Sequence, residues 1–373
     1  MRRAIALAKK GRGYTSPNPL VGAVIVKDDV IIGEGYHQHY GGLHAEREAI
    51  QSLTRDAHGA TMYVTLEPCC HQGKQPPCTQ AILSAGISTV VIGSRDPNPL
   101  VAGGGVAFLK AHGIQVVEDY LKEECDALNP IFFHYITSHL PYVALKYAMT
   151  ADGKIALENG DSQWITQPKS RAHVHLLRQQ YRSILVGIET VLTDNPTLTC
   201  RLPFSDVHVI QPIRIVLDSN LRIPLTSQLV QTIDEAPLIV VTTPEGAKAQ
   251  AAKRQVLTAA GVEVLEFQRH PATGHIDLFP LLQELGRRHV DSLLVEGGGQ
   301  VHASFLQQHQ AQKLYVYIGA KLFGGGSSKD PVGALPIASV SHAIQLSHPK
   351  IHSWGDQCVD VLLEYDLLSK EVS

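Results

Sequence analysis

Short apolar runs, each ended by a glycine or a polar turn, recur along the chain, and their spacing predicts alternating strands and helices. A helix over 2–9 stops at Gly11. β-like runs at 22–26 and 31–36 are joined by the polar turn Lys27-Asp28-Asp29. A helix follows over 45–53, a strand over 62–65, a helix over 79–85 closed by Gly86, and a strand over 89–92. A helix over 105–111 ends at Gly113 and leads into a strand over 114–117. This order, β-β-α-β-α-β-α-β, implies a sheet sandwiched between helices.

The segment 129–141 holds two prolines, Pro130 and Pro141, and reads as a linker. Beyond it the alternation resumes. Strands fit 143–148, 183–186, 213–217, 238–241, 262–267, 292–295 and 314–318, with a last one at 359–365. Helices fit 169–178, 248–260, 279–288 and 301–308. The expectation is an α/β protein of two domains, 1–140 and 141–373.

Composition narrows the class. At 44% hydrophobic and 18% charged, with a net charge of −3, the 373 residues suit two ordinary cores and show none of the basic excess typical of nucleic-acid binders. No apolar run reaches the roughly 18 residues of a membrane span, and the opening stretch is too short for a signal peptide. A cytoplasmic protein without membrane or nucleic-acid partners is expected. Of the six cysteines, Cys69, Cys70 and Cys78 crowd together, and Cys125, Cys200 and Cys358 are scattered. In a cytosolic chain such a group binds metal or does chemistry more often than it forms disulfides.

His44-Ala45-Glu46, then Pro68-Cys69-Cys70, then Cys78 offer an imidazole and two thiolates. Three N/S ligands plus one open position are what a catalytic zinc needs. Glu46, close to His44 but free of the metal, can shuttle protons. The His-x-Glu and Pro-Cys-x-x-Cys signature of zinc deaminases has this content. Here residues 70–77 stand between the two cysteines and must loop out, with Pro76-Pro77 setting Cys78 in the first turn of the next helix. The competing arrangement is a closed structural zinc held by Cys69, Cys70, Cys78 and His71, with no need of His44 or Glu46. Pro17-Asn18-Pro19, Gly35-Tyr36-His37 and Asp96-Pro97-Asn98-Pro99 punctuate strand ends, where Asn and Asp also cap turns.

Asn18 in P-N-P-x-V-G, His44-Ala45-Glu46, Thr65-Leu66-Glu67-Pro68-Cys69, the G-K-x-P-P-C run at 73–78 and Asp96-Pro97-Asn98-Pro99 together resemble the deaminase half of bacterial RibD-type riboflavin biosynthesis proteins. The long loop between the cysteines is a mark of that family. The resemblance covers about residues 1–140. It implies a cytidine-deaminase-like α/β/α sandwich, with His44, Cys69 and Cys78 on zinc and Glu46 as proton shuttle. It also implies substrate contacts by Asn18, His37, His71, Lys74, Asp96 and Asn98. The family usually has Ser at the place of Cys70, so this chain carries an extra thiol beside the metal. The family also usually begins several residues earlier, so a start ahead of Met1 is expected.

Further on, Leu293-Leu294-Val295-Glu296-Gly297-Gly298-Gly299 is an apolar strand running into glycines, and bare N–H groups at a helix start bind phosphate. It is not the dinucleotide fingerprint G-x-G-x-x-G, and a tight turn is a common meaning of such a run. Gly324-Gly325-Gly326 is equally ambiguous. Lys146 with Asp152-Gly153, S-Q-W-I-T at 162–166, T-V-L-x-D-N-P-x-L-T-x-R at 190–201, I-V-L-D-S at 215–219 and V-E-G-G at 295–298 together resemble the RibD reductase half. In place of the usual Ser-Leu before Asp152-Gly153, this chain has Thr150-Ala151.

That second resemblance covers about residues 142–365 and implies a dihydrofolate-reductase-like fold binding NADPH. Ala148, Trp164, Thr190, Asp194, Ser219 and the turn Gly298, Gly299, Gln300, Val301, His302, Ala303 and Ser304 would lie along the cofactor. Ser162, Arg178, Leu198, Arg201 and Glu296 would lie along the substrate, with Arg178 and Arg201 suited to its phosphate. Lys146 and Glu296 are the candidates for proton handling. The reading is a bifunctional enzyme that needs Zn2+ and NADPH: it deaminates a pyrimidine ribosyl phosphate, reduces its ribosyl group to ribityl, and forms a dimer or tetramer. A nucleic-acid base deaminase would share the zinc site but should carry a basic or aromatic strand-binding surface. A zinc-stabilised module without catalysis would have no use for Glu46.

Overall fold

The computed structural model describes residues 1–70, 76–98, 102–202, 209–325, 329–354 and 359–368. His71, Lys74 and Cys358 lie outside them. The chain divides into two compact units, Met1–Leu140 and Pro141–Ser373. Among the described residues no helix is long and apolar enough to cross a membrane.

Unit 1 begins with α1 (Arg2–Ala8), a turn of 3-10 helix at Lys9–Gly11, and the hairpin β1 (Gly22–Lys27) and β2 (Val30–Tyr36). Asp28 and Asp29 both take positive φ, 49° and 58°, as a two-residue turn matched to strand twist requires. Then come α2 (Ala45–Gln51), β3 (Thr61–Leu66), α3 (Cys78–Ser84), β4 (Thr89–Ser94), α4 (Gly104–Ala111), β5 (Gln115–Val117), α5 (Lys122–Asp126) and α6 (Pro130–Ser138). The sheet order is β2-β1-β3-β4-β5. β1 is antiparallel to both neighbours, while β3, β4 and β5 run parallel, so α3 and α4 are the crossovers between them.

Strand alternation sorts the two faces. Ala23 and Ile25 of β1, with Met62, Val64, Val90 and Ile92, pack against Ala45 and Ala49 of α2, Ile82 of α3 and Leu109 of α4. Val24 points the other way, onto Ala4 and Leu7 of α1. The result is the three-layered α/β/α sandwich.

The linker expected over 129–141 is largely a helix, α6. Pro130 stands in its first turn, where the missing N–H costs nothing and the fixed φ favours the helix. Asn129 is a tie rather than a spacer: its Oδ1 accepts from Leu20 N at 2.7 Å and its Nδ2 donates to Leu20 O at 2.9 Å.

Unit 2 runs β6 (Tyr142–Thr150), α7 (Pro168–Gln180), β7 (Ser183–Gly187), α8 (Ile188–Asp194), β8 (Ile213–Leu217), α9 (Gln228–Gln231), β9 (Leu238–Thr242), α10 (Pro244–Ala249), α11 (Ala251–Ala259) and β10 (Glu263–Glu266). It continues with α12 (Leu278–Arg287), β11 (Ser292–Val295), α13 (Gly299–Gln307), β12 (Lys313–Gly319), β13 (Leu346–Trp354) and β14 (Asp360–Leu367). The nine strands order as β10-β9-β8-β7-β11-β6-β12-β14-β13. From β10 to β12 all pairs are parallel, and β14 runs antiparallel to both its neighbours. Leu293, Leu294 and Val295 of the central β11 are fully buried, as expected where helices cover both faces.

Two further expectations are corrected. The single helix over 248–260 is two, because Thr243 caps an earlier start at Pro244 by accepting from Gly246 N, and the chain breaks at Gln250. The edge strand β13 was not foreseen; it is mostly exposed and lacks the apolar alternation that would reveal it.

Candidate active sites

In unit 1 the chemistry gathers where α2, α3 and the end of β3 meet. His44 is the residue that opens α2, with extended backbone at φ −72°, ψ 156°. Helix α2 lies close on β2 because Gly33 and Gly35 have no side chain there. A Cβ on Gly35 would stand 2.3 Å from Ala49 N, and one on Gly33 would stand 2.4 Å from Ala49 O. Cys69 follows β3, and Cys78 is the first residue of α3.

His44 Nδ1 lies 3.6 Å from Cys69 Sγ and 3.3 Å from Cys78 Sγ. All three donor atoms fall within 4.8 Å of one another. A tetrahedral zinc with ordinary Zn–S and Zn–N bonds puts sulfur and nitrogen about 3.5 Å apart, so these residues fit the ion without rearrangement. Among the described residues Cys70 is not in this group, and its Sγ packs toward Gly104. Of the closed arrangement, His71 lies outside the described residues; among those described, the cluster is His44, Cys69 and Cys78.

The Cys78 thiol bonds to Cys69 and holds it below the usual thiol range; the same bond, with burial, pushes Cys78 up. A shared proton between neighbouring sulfurs is what a metal would displace. Glu46, in the first turn of α2, is 4% exposed. Burial raises its carboxyl to about 7, and the nearby Cys69 adds to the effect.

His37 and Asn18 stand beside the imidazole. The His37 and His44 rings meet edge to face at 5.6 Å. His37 Nδ1 bonds to Leu43 O at 2.8 Å, which leaves Nε2 to accept from Asn18 Nδ2 at 3.0 Å. Asp96, buried, and Asn98 follow β4, so they sit at the carboxyl end of a parallel strand beside β3. Asp96 Oδ1 accepts from Asn98 N at 2.9 Å. The expected contacts His71 and Lys74 fall outside the described residues.

Sequence reasoning gave Glu67 no role. Its buried carboxylate accepts from Gly103 N at 3.1 Å, Gly105 N at 3.1 Å and Val106 N at 3.2 Å, at the start of α4. It thereby fixes the Pro68-Cys69 step. The glycines at 103–105 were the available hint.

In unit 2 the charged centre forms between β6, β11 and α7. Glu296, just past β11, is gripped by both forks of Arg178: Nε to Oε1 and Nη2 to Oε2, each at 2.8 Å. Lys146 of β6 lies 3.6 Å from Glu296 Oε2. Burial works against the Glu296 charge, but Arg178 and Lys146 outweigh it and hold the carboxyl at about 2. Burial lowers Lys146 below an ordinary lysine, with Glu296 opposing.

Beside this centre opens a cavity of about 1050 Å³, in the range of cofactor sites. It is lined by Ser162, Thr190, Asp194 and Ser219, and by Gly298, Gly299, Gln300, Val301 and Ser304 at the start of α13. Bare N–H groups of that helix start suit a phosphate. His302 and Ala303 point inward and are buried; His302 Nδ1 bonds to Pro331 O at 2.8 Å. Ala148 is half-buried on β6, two residues beyond Lys146. Trp164 is 58% exposed, with the Arg171 guanidinium 4.6 Å above its ring. The Leu198 side chain belongs to the core with Ile184 and Val216, which leaves its main chain for any contact. Ahead of the ambiguous glycines, Asp152 accepts from the Phe323 and Gly324 N–H groups at 3.1 and 2.6 Å, and Gly324 and Gly325 take positive φ.

A family model described as the cytidine and deoxycytidylate deaminase zinc-binding region matches residues 1–94, and one described as the RibD C-terminal domain matches residues 141–358. The riboflavin biosynthesis protein RibD of Actinobacillus pleuropneumoniae is 49% identical over 369 residues, covering 99% of this chain and 95% of that protein. RibD of Escherichia coli (strain K12) is 40% identical over 333 residues, covering 87% and 88%. Among solved structures, a diaminohydroxyphosphoribosylaminopyrimidine deaminase/5-amino-6-(5-phosphoribosylamino)uracil reductase of Thermotoga maritima matches with a TM-score of 0.82 at 40% identity, over 99% of this chain and 97% of that one. RibD of Acinetobacter baumannii matches with a TM-score of 0.85 at 35% identity, over 98% and 97%.

Proposed function

This chain belongs to the RibD family of bifunctional deaminase/reductases of riboflavin biosynthesis, and from that membership we propose how its residues divide the work. Unit 1 hydrolyses the ring amino group of 2,5-diamino-6-ribosylamino-4(3H)-pyrimidinone 5′-phosphate and releases ammonia. Unit 2 then reduces the ribosyl group of the product to ribityl. The observation that carries this reading is the meeting of His44 Nδ1, Cys69 Sγ and Cys78 Sγ within 4.8 Å, beside a buried Glu46.

Zinc, when bound, supplies an open corner and a water acidified to near neutrality. Glu46 takes the proton of the attacking water and returns it to the leaving amine. Its position beside the three ligands, buried and not itself a ligand, suits a group that takes a proton and hands it on. Asn18, His37, Asp96 and Asn98 orient the pyrimidine, with His71 and Lys74 from the intervening loop.

The reductase half takes a nucleotide cofactor, and we assign NADPH. When bound, its reduced nicotinamide would supply the hydride for C1′ of the opened ribose. Its contacts would be Ala148, Trp164, Thr190, Asp194, Ser219 and residues 298–304. Ser162, Arg178, Leu198, Arg201 and Glu296 would hold the substrate. Lys146 Nζ would give the nitrogen bonded to C1′ the proton that balances the hydride, and Glu296 would keep that ammonium charged until it is used. We place the enzyme in the cytoplasm, where its free thiols stay reduced, as a homo-oligomer acting on a small molecule.

Glu46→Gln separates the steps. The variant should bind zinc and still oxidise NADPH with the deaminated substrate, while ammonia release drops by on the order of 10²- to 10⁴-fold. Ammonia release at the wild-type rate would remove Glu46 from its role.

A further inference from the structure

The segment Thr197–Arg201 is pinned to its surroundings by four side chains. Arg214, fully buried on β8, donates to Thr197 O at 3.2 Å. Arg178 of α7 donates to Thr199 O at 2.9 Å. Gln211 closes a pair with Cys200, accepting from its N at 2.8 Å and donating to its O at 3.0 Å. The fourth tie is His175 of α7, whose Nδ1 accepts from Arg201 N at 3.1 Å. His175 and Arg178 stand three residues apart on α7, and so share a face.

What this segment presents is the Arg201 guanidinium. Its Nη1 donates to Thr197 Oγ1 at 2.7 Å and Thr199 Oγ1 at 3.0 Å, both neutral acceptors. Among the described residues no carboxylate lies within ion-pair reach of Arg201. Nearby, Lys146 and Arg178 share the single carboxylate Glu296. The local balance is cationic, which suits a phosphate dianion.

We propose that His175 is a positioning residue for the phosphate end of the substrate: its Nδ1 anchors the Arg201 main chain, so that the braced guanidinium meets a phosphomonoester. The inference rests on the ribosyl-phosphate reading given above. Only a neutral imidazole can accept at Nδ1. Burial, then the charges of Arg178 and Arg201, hold His175 down at about 4, with Lys146 acting in the same sense and Glu296 opposing. The acceptor is thus present throughout the neutral range.

Calorimetric titration of the full-length protein with ribitol 5-phosphate, and with ribitol as control, tests the assignment. Wild type should prefer the phosphorylated ligand. His175→Leu should weaken ribitol 5-phosphate by about tenfold, the loss of one hydrogen bond to the arginine's main chain and the ordering it gives, and leave ribitol unchanged. His175→Asn, which sets an oxygen where Nδ1 stood, should recover most of the affinity; His175→Gln, whose amide falls at the Nε2 position, should not. In turnover the same order should appear in KM with kcat held. Should the leucine variant fail to fold, the asparagine–glutamine contrast decides. Unchanged phosphate affinity in His175→Leu, equal weakening of both ligands, or indistinguishable Asn and Gln variants would overturn the proposal. A wild-type protein that binds ribitol as well as its phosphate would instead overturn the ribosyl-phosphate reading.

Discussion

The carboxylate of Glu67 accepts three main-chain N–H groups from residues 103–106, at 3.1 to 3.2 Å, two positions before the Cys69 thiolate. Replacing it by alanine leaves three buried donors unsatisfied and frees the Pro68-Cys69 step. Glu67→Ala should lower zinc affinity by about 10- to 100-fold, the usual effect of losing support around a ligand. Competition with a chromophoric chelator measures this; unchanged affinity would show that β3 alone sets Cys69. Such a role was illegible in the sequence, because the partners of Glu67 lie 36 to 39 residues away. His44, Cys69 and Cys78 were legible for the opposite reason: imidazole and thiolates announce their chemistry wherever they sit. His302 marks a different limit. A glycine turn places a helix start correctly, yet it does not say which side chains of the first turn are buried, as that of His302 is, so that only its main chain is left for a contact.

At the scale of elements, the placement of α2 decides whether His44 and Glu46 reach the thiols. The helix rests on two glycines of β2, and a Cβ at position 35 would meet Ala49 N at 2.3 Å, Ala45 O at 2.5 Å and Glu48 Cβ at 2.5 Å. Two of these are main-chain atoms that no side-chain rotation can move. Gly35→Ala should therefore push α2 outward and destabilise unit 1 by about 1–3 kcal/mol, as overpacking does. Ammonia release should fall while NADPH oxidation persists, since unit 2 shares none of these contacts. Denaturant unfolding and the paired assays check both; equal loss of the two activities would count against it. Strands and helices with strong periodicity were readable, and their boundaries moved by only a few residues. The misreadings have local causes. Proline in a first turn permits a helix, as at Pro130, and a capping threonine can start one early, as at Thr243. The edge strand β13 is exposed along most of its length and needs no apolar pattern.

At the scale of the whole molecule, each unit has its own sheet and a site built from its own residues. The three candidate ligands of zinc come from the start of α2, the end of β3 and the start of α3, all in Met1–Leu140. An ion that binds the folded unit and not the unfolded chain stabilises it by RT ln(1 + [L]/Kd), which grows with the logarithm of the free ion concentration once that exceeds Kd. Removing zinc should thus act on unit 1 twice, by taking away the activated water and by lowering its melting temperature. Lys146, Arg178 and Glu296 satisfy one another without the metal, so unit 2 has no reason to respond. Exhaustive chelation should abolish ammonia release, shift one calorimetric transition downward, and leave a second transition and the NADPH oxidation of the deaminated substrate in place. Restoring zinc should reverse the losses. If reductase activity and both transitions fall together with the metal, the two units are energetically one, and the division of labour assigned to them would have to be redrawn.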